Sequence, residues 1–367
     1  MELSNTPVIG IFSKNRDVTR LKNQRMSFKI KEIVEANEVA QTTIYFFSAS
    51  DVNLHTNKIM GMYYNKKEWE QKEFPFPDVL YNRVAKGLDV PKYIKIRDAF
   101  QRQGVKFINA SSNFDKWEVY RIIFNNGDLK KHLPYTKLFK KPNNLKTMFQ
   151  TSDTIYLKTT DGRRGKQIMR VQRSCNDYEY RYIFQNNVVI NKVKQFNDLC
   201  EVISDFFGEQ KIIMQHAIDS HMISGRLADM RCEVQRNGKG EIEIIGTAVR
   251  LGDTSSPVSY TKQSIYYPFS TFLSDQLHYR KEECEKMEAK VKRFIFTVYK
   301  TIESAYGSFG EMGIDFSIDK KGKIWFIECN ATSGKTSLRK AFGDSIVRKS
   351  YLNRLEYAKY IMDSDRS

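Results

Sequence analysis

The chain is short of the residues that staple or metallate a small domain. Its five cysteines, Cys175, Cys200, Cys232, Cys284 and Cys329, are odd in number, scattered and without a CxxC spacing, which argues against a disulfide framework or a zinc site. They are expected to be reduced. Five histidines offer no better ligand set, since His216 and His221 stand five apart and the others are isolated. No apolar run approaches the roughly eighteen residues of a membrane span. The start, Met1-Glu-Leu-Ser-Asn-Thr-Pro, lacks the basic region and apolar block of a secretion signal, so a cytoplasmic protein with no membrane partner is expected. Acidic residues are scarce as well: 43 against 60 lysines and arginines, a net charge of +17.

What is present supports real cores. The 367 residues are 41% hydrophobic and 13% aromatic, enough for two or three domains. The basic excess concentrates anionic partners, and it crowds residues 129 to 173, where Asp153 and Asp161 are the only acids. Such a stretch serves nucleic acid, a polyanionic substrate or one nucleotide triphosphate, and composition does not choose among them.

Along the first 110 residues strands alternate with helices. Residues 6–12, 43–47, 78–81 and 105–108 read as strands, and 27–40 and 93–104 as helices, which predicts an α/β unit with a mainly parallel sheet. A helix is expected over 114–125, strands over 155–158 and 167–171 flanking "TTDGRRG", a helix over 196–207 and a strand over 212–215. Residues 229–235 and 241–250, joined by Asn237-Gly-Lys-Gly240, predict a hairpin. Met287, Val291, Phe294, Ile295, Val298 and Ile302 keep one face of a long helix apolar from about 282 to 306, where Gly307 ends it.

Two segments carry chemistry. In "GIDFSIDKKGKIWFIECN" (313–330) a four-residue loop pairing Ile318 with Lys323 puts Ile314, Phe316, Trp325 and Ile327 on a core face, with Asp315, Phe326, Glu328 and Asn330 opposite. Asp315 is then diagonal to Glu328, about 7–8 Å between backbones, and hard divalent ions such as Mg²⁺ take one or two carboxylates plus substrate phosphates. In "YLKTTDGRRGK" Lys158 ends a strand before a turn whose glycines let backbone N–H groups close on phosphate oxygens. This is neither a GxxxxGK[ST] loop nor a GxGxxG fingerprint.

The order Asp115-Lys116, Leu157-Lys158 with "DGRRGK", Ile213-Met-Gln215, Asp229-Met-Arg231, Arg250 and "GIDF…WFIECN" resembles ATP-grasp proteins such as D-alanine:D-alanine ligase. Within them, "NFDKW", "DMRCEVQ" and "EMGIDFSIDKKGKIWFIECN" resemble the YheC/YheD-type proteins associated with bacterial spore coats. The resemblance spans roughly residues 110 to 340. It implies an α/β (α+β) ATP-grasp fold: an N-terminal α/β pre-ATP-grasp domain (1–110), a small lobe with the phosphate loop (111–211), a large lobe with the Mg-binding hairpin (212–345) and a C-terminal helix or tail (346–367).

It further implies ATP and Mg²⁺ as cofactors. Lys116 and Lys158 would contact phosphates, with Thr160, Gly162, Gly165 and Lys166 in a lid over them. The backbone of Met214, Gln215, His216 and Ala217 would meet adenine; Asp315, Glu328 and Asn330 would hold the metal; Arg231 and Arg250 would stabilise charge near the γ-phosphate or an acyl phosphate. The partners implied are a small-molecule or peptide carboxylate and an amine acceptor, with homo-oligomerisation left open. After Asn330 the family's Pro-Gly is replaced by Ser333-Gly334 and Lys335-Thr336-Ser337, where an acceptor usually binds; the loop 253–267 is expected beside it. Two alternatives remain at this point: a nucleotide-binding or coat-associated structural protein without turnover, and, ranked last, nucleic-acid binding through residues 129–173.

Overall fold

The computed structural model of the chain describes residues 6–84, 90–162 and 167–363. Among these, three sheets form in sequence order, each with its own helices.

The first sheet contains β1 (Val8–Phe12), β2 (Thr43–Phe47), β3 (Val52–Asn53), β4 (Lys58–Tyr64), β5 (Trp69–Pro75), β6 (Val79–Asn82) and β7 (Lys106–Phe107), in the order β3-β4-β2-β1-β6-β7 with β5 on β4. The pairs β1–β2, β1–β6 and β6–β7 are parallel, as alternating strands and helices require. The hairpin of β4 and β5 adds an antiparallel edge that strand alternation alone does not reveal. Helices α1 (Asn15–Lys22), α2 (Phe28–Ala40) and α3 (Ile94–Arg102) cover it.

Helix α4 (Lys116–Asn125) starts where the Asp115 carboxylate accepts from Trp117 N and Glu118 N, at 2.9 and 3.1 Å, an N-cap that fixes Lys116 as the first helical residue. The second sheet follows: β8 (Thr136–Phe139), β9 (Thr154–Thr159), β10 (Ile168–Arg173), β11 (Tyr178–Phe184), β12 (Asn187–Val193) and β13 (Ile212–His216), in the order β12-β11-β10-β9-β13-β8, antiparallel throughout. Helices α5 (Pro142–Phe149) and α6 (Phe196–Phe207) bury Leu145, Met148, Leu199 and Ile203 against Ile155, Leu157, Met169 and Met214 on one face. Lys158, between Leu157 and Thr159, points to the other face by the strand's period of two.

The third sheet runs β17-β16-β15-β18-β19, with β14 on β15: β14 (Met222–Ile223), β15 (Arg226–Arg236), β16 (Ile242–Leu251), β17 (Ile265–Pro268), β18 (Glu311–Ile318) and β19 (Ile324–Asn330). Its apolar face, Met230, Cys232, Val234, Ile314 and Phe316, lies under the long helix α7 (Lys281–Tyr306). Every second residue of β15 goes the other way, so that Asp229, Arg231, Glu233 and Gln235 share one polar face.

A short helix α8 (Thr336–Phe342) leads into α9 (Asp344–Asp363). The last helix buries Val347, Tyr351, Leu355 and Ala358 with Ile9, Ile30 and Ile33 of the first unit. It also touches the third sheet, where Lys349 and Asn353 bind Glu243 at 2.6 and 3.0 Å.

Candidate active site

A cavity of about 730 Å³ lies between the three sheets. Of the residues singled out in the sequence, it brings together Lys116, Lys158, Gly162, Gln215, His216, Arg231, Arg250, Asp315, Glu328 and Asn330.

The second sheet supplies the lysine wall. Lys158 donates to Gln215 Oε1 at 2.7 Å, and Gln215 in turn donates to Thr136 Oγ1 at 3.0 Å, so the ammonium is held by a neutral partner. Burial depresses its pKa to about 8, although Glu328 nearby pulls the other way. Lys116 reaches in from α4, 3.8 Å from Glu328 and donating to the Gly162 carbonyl at 2.5 Å. At Gly162 a Cβ would stand 2.1 Å from Thr159 Oγ1, which requires glycine where the chain folds back toward Lys116.

The third sheet supplies the charged floor. Arg231 clasps Asp315 with two parallel hydrogen bonds, Nη2 to Oδ2 at 2.7 Å and Nε to Oδ1. Arg250 does the same to Asp229 at 2.6 and 2.7 Å and stands 3.4 Å from Asp315. Burial alone would raise the Asp315 carboxyl, but the two guanidiniums hold it below the usual carboxylate range.

The hairpin differs from its expected register. Ile318 faces Ile324, not Lys323, and a bulge leaves Ile327 unpaired, so Asp315 lies directly across from Glu328 rather than diagonal to it. The bulge also exchanges sides: Phe326 enters the core, while Trp325 and Ile327, expected there, leave it; Cys329 faces the core, as alternation from the apolar side predicts. Ile327 thereby lines the cavity with Ile168, Ile218 and Leu227.

Other expected residues are engaged within the second sheet or its edges. Met214 is buried in the core of the second sheet, between β8 and β9, so its backbone is engaged in the ladder and does not face the cavity. Ala217 N donates to Thr154 O at 3.1 Å and His216 N to Tyr135 O at 3.0 Å; Ile218 is the next residue along, and it does line the cavity. Thr160 is buried, its N–H on Lys211 O and its carbonyl accepting from Lys116 N, a structural link rather than a cavity residue. Gly165 and Lys166 lie outside the described residues. Of the aromatics in the basic stretch, Phe149 is core and Tyr156 lines the cavity, while Tyr135 is exposed.

One group of site residues escaped the sequence reading. Lys335 pairs with both Glu233 and Glu311, the latter at 2.8 Å, and Arg354 of α9 stands 3.2 Å from Glu311. All four are at most 3% exposed. Burial drives the Lys335 ammonium well down and the Glu311 carboxyl up to about 8; wherever their proton lies, the quartet sums to zero. The alternation of "ADMRCEVQ" was the available signal for Glu233, because a strand covered on both faces buries its polar half too.

The donor set fits a hard cation in part. Among the described residues no group of three or more His, Cys, Asp or Glu is disposed to hold a metal ion. Glu328, partly exposed and 3.3 Å from the Asn330 amide, supplies oxygens to an ion that a nucleotide's phosphates also bind. Both Asp315 oxygens accept from Arg231, which competes with a cation for this carboxylate.

Two lobes of antiparallel sheet facing each other over a lysine wall and an acidic hairpin define an ATP-grasp fold. The chain is similar in structure to the D-Ala:D-Ser ligase VanG of Enterococcus faecalis (TM-score 0.56, 14% identity, covering 97% of this chain and all of that one). It is similar as well to the ATP-grasp ligase PsnB complexed with a minimal precursor (0.55, 12%, 96% and 100%) and to D-alanyl-alanine synthetase A of Vibrio cholerae (0.55, 12%, 95% and 98%). Within that fold, the YheC/D like ATP-grasp family matches residues 104–361, and the chain belongs to it. Two curated relatives from Bacillus subtilis (strain 168) are the endospore coat-associated proteins YheD, 22% identical over 373 residues (97% of this chain, 79% of that protein), and YheC, 18% identical over 310 residues (80% and 81%).

Proposed function

We propose that the protein is an ATP-dependent carboxylate–amine ligase. The observation that carries this reading is the convergence on one cavity of Lys116, Lys158, Arg231, Arg250, Glu328 and Asn330, contributed by segments as far apart as residues 116 and 330. A substrate carboxylate oxygen attacks the γ-phosphorus, the bond from that phosphorus to the bridging oxygen breaks, and ADP leaves with its negative charge. The amine then attacks the acyl carbon, phosphate departs, and the nitrogen loses its proton to give the amide. No enzyme nucleophile is needed, which agrees with burial of the Cys329 thiol in the core and a pKa well above its ordinary value.

In this reading Lys116 and Lys158 face the phosphates, Arg231 and Arg250 stabilise charge that grows on the transferring phosphoryl and acyl oxygens, and Ile168, Ile218, Leu227 and Ile327 wall an apolar slot for the base. Glu328 and Asn330, joined by Asp315 once Arg231 moves to phosphate, would hold Mg²⁺, which supplies charge neutralisation between phosphate oxygens. A second reading, a coat-associated protein that binds nucleotide without turnover, draws on the closed Arg231–Asp315 pair.

The test is calorimetry with ATP and Mg²⁺ on the protein and a Glu328→Gln variant, followed by phosphate release against pools of amino acids and carboxylates. Mg²⁺-dependent binding weakened at least tenfold in the variant, with release only when one pool is present, is the expected result. Binding with no release from any pool supports the second reading, and no binding overturns both.

A further inference from the structure

The cavity does not end at the acidic hairpin. Past the quartet of Lys335, Glu233, Glu311 and Arg354 it continues to the first sheet, where α1, α2 and the end of β6 close it. Its charge changes along the way. At the hairpin end the lining carries Lys116, Lys158, Arg231 and Arg250 against Asp229, Asp315 and Glu328, close to balance. The buried quartet in the middle is neutral. At the far end the described lining holds Lys14, Arg16, Arg20, Arg83 and Arg339, with Lys29 beside them, and a single acid, Asp17.

Pairing among the described residues reduces this excess. Arg16 stands 3.7 Å from Asp17, and Arg339 pairs with Asp344 at 2.5 Å outside the lining. Two of the arginines are also held against rings: Arg339 lies 3.8 Å from the Phe28 ring centre and Arg83 5.9 Å from that of Tyr351. The Arg339 fork is taken up by Asp344, Nε to Oδ1 and Nη2 to Oδ2, whereas Arg83, oriented beside the ring, still offers N–H donors to an oxyanion. Arg83 and Lys29 act electrostatically on Glu311, at the inner edge of the basin. The basin lies across the quartet from a nucleotide whose phosphates sit at the hairpin. Its Lys14, Arg16, Arg20 and Arg339 open to solvent, so it forms a positively charged mouth that attracts an anion of its own.

We propose that the molecule ligated is an acidic peptide or a comparable polycarboxylate, whose further carboxylates rest on Arg20 and Arg83 while its reacting end lies at Arg231 and Arg250. The assignment rests on the ligase reading above and narrows it, since a single neutral amino acid would leave the basin unused. Carboxylates match the planar guanidinium forks in two-point hydrogen bonds.

The experiment titrates pentaglutamate, pentaglutamine and glutamate into the protein saturated with ADP and Mg²⁺, so that the phosphate site is filled, and repeats the titration with an Arg20→Gln/Arg83→Gln variant. ADP binding is measured separately on both proteins. Expected are pentaglutamate binding at least tenfold tighter than pentaglutamine or glutamate, an affinity that falls steeply with added salt, and a loss of tenfold or more in the variant. Equal affinity for the charged and neutral peptides, no pentaglutamate binding to the ADP-loaded protein, or an unchanged variant would overturn the proposal. Failure of ADP to bind the unaltered protein instead counts against the nucleotide reading, and pentaglutamate titrated into the ADP-free protein then still decides whether the basin takes polycarboxylates.

Discussion

At the scale of single residues, the site shows how the same arginine or lysine differs by its partner. Arg231 and Arg250 each meet a carboxylate in fork geometry, whereas Lys158 meets, among the described residues, an amide oxygen at hydrogen-bond distance. Its folded pKa of about 8 lies below the ordinary 10.5, so between those values the unfolded chain binds more protons than the folded one. This residue's contribution to stability therefore rises with pH across that window, and its burial cost is fully felt below it. Phosphate oxygens beside the ammonium push the pKa back up. At pH 8.5, nucleotide binding is expected to take up between half a proton and one proton, read by calorimetry in two buffers of different ionisation enthalpy. Lys158→Arg, permanently charged, should show none; equal uptake in both proteins would place the titrating group elsewhere.

At the scale of elements, what could be read from the chain followed simple periodicity. Strand β2, helix α6 and the long helix α7 were legible because each buries one face against one neighbour, so spacing and burial agree. The acidic hairpin was legible in its chemistry and not in its register. Alternation assumes one residue opposite one residue, and the extra residue Ile327 breaks that rule without changing composition. The cost of truncation follows the observed sides. Phe326→Ala opens a cavity in the core and should cost about 3–5 kcal/mol. Trp325→Ala should cost less, since that ring is partly exposed, even though it donates to Asp319 at 2.8 Å and lies under Lys323. Urea unfolding of the two variants ranks them, and a larger loss at Trp325 would restore the regular register. The docking of α9 escaped for a different reason: its partners in the first unit are distant in sequence.

At the scale of the whole molecule, the chain has no helix among its described residues long and apolar enough to cross a membrane, and part of its positive charge gathers where three sheets meet. The net charge of +17 thus has a local meaning that composition alone could not give, because residues from α1, β6 and α8 become neighbours only in the fold. The last helix has a mechanical consequence. By filling the core of the first unit while gripping Glu243 of the third sheet, α9 ties those two together. The second sheet joins them through the segments around residues 133–135 and 217–221, where hinge motion of a jaw is expected. The exposed Cys175, between β10 and β11, offers a fluorophore position on the moving jaw, and Asp363→Cys offers another on the fixed one. Energy transfer between them should rise when ATP and Mg²⁺ are added and stay constant in Glu328→Gln; a constant signal in the unaltered sequence would mean that the jaw is already shut. The C-terminal helix thus sets which part of the molecule is anvil and which is hammer.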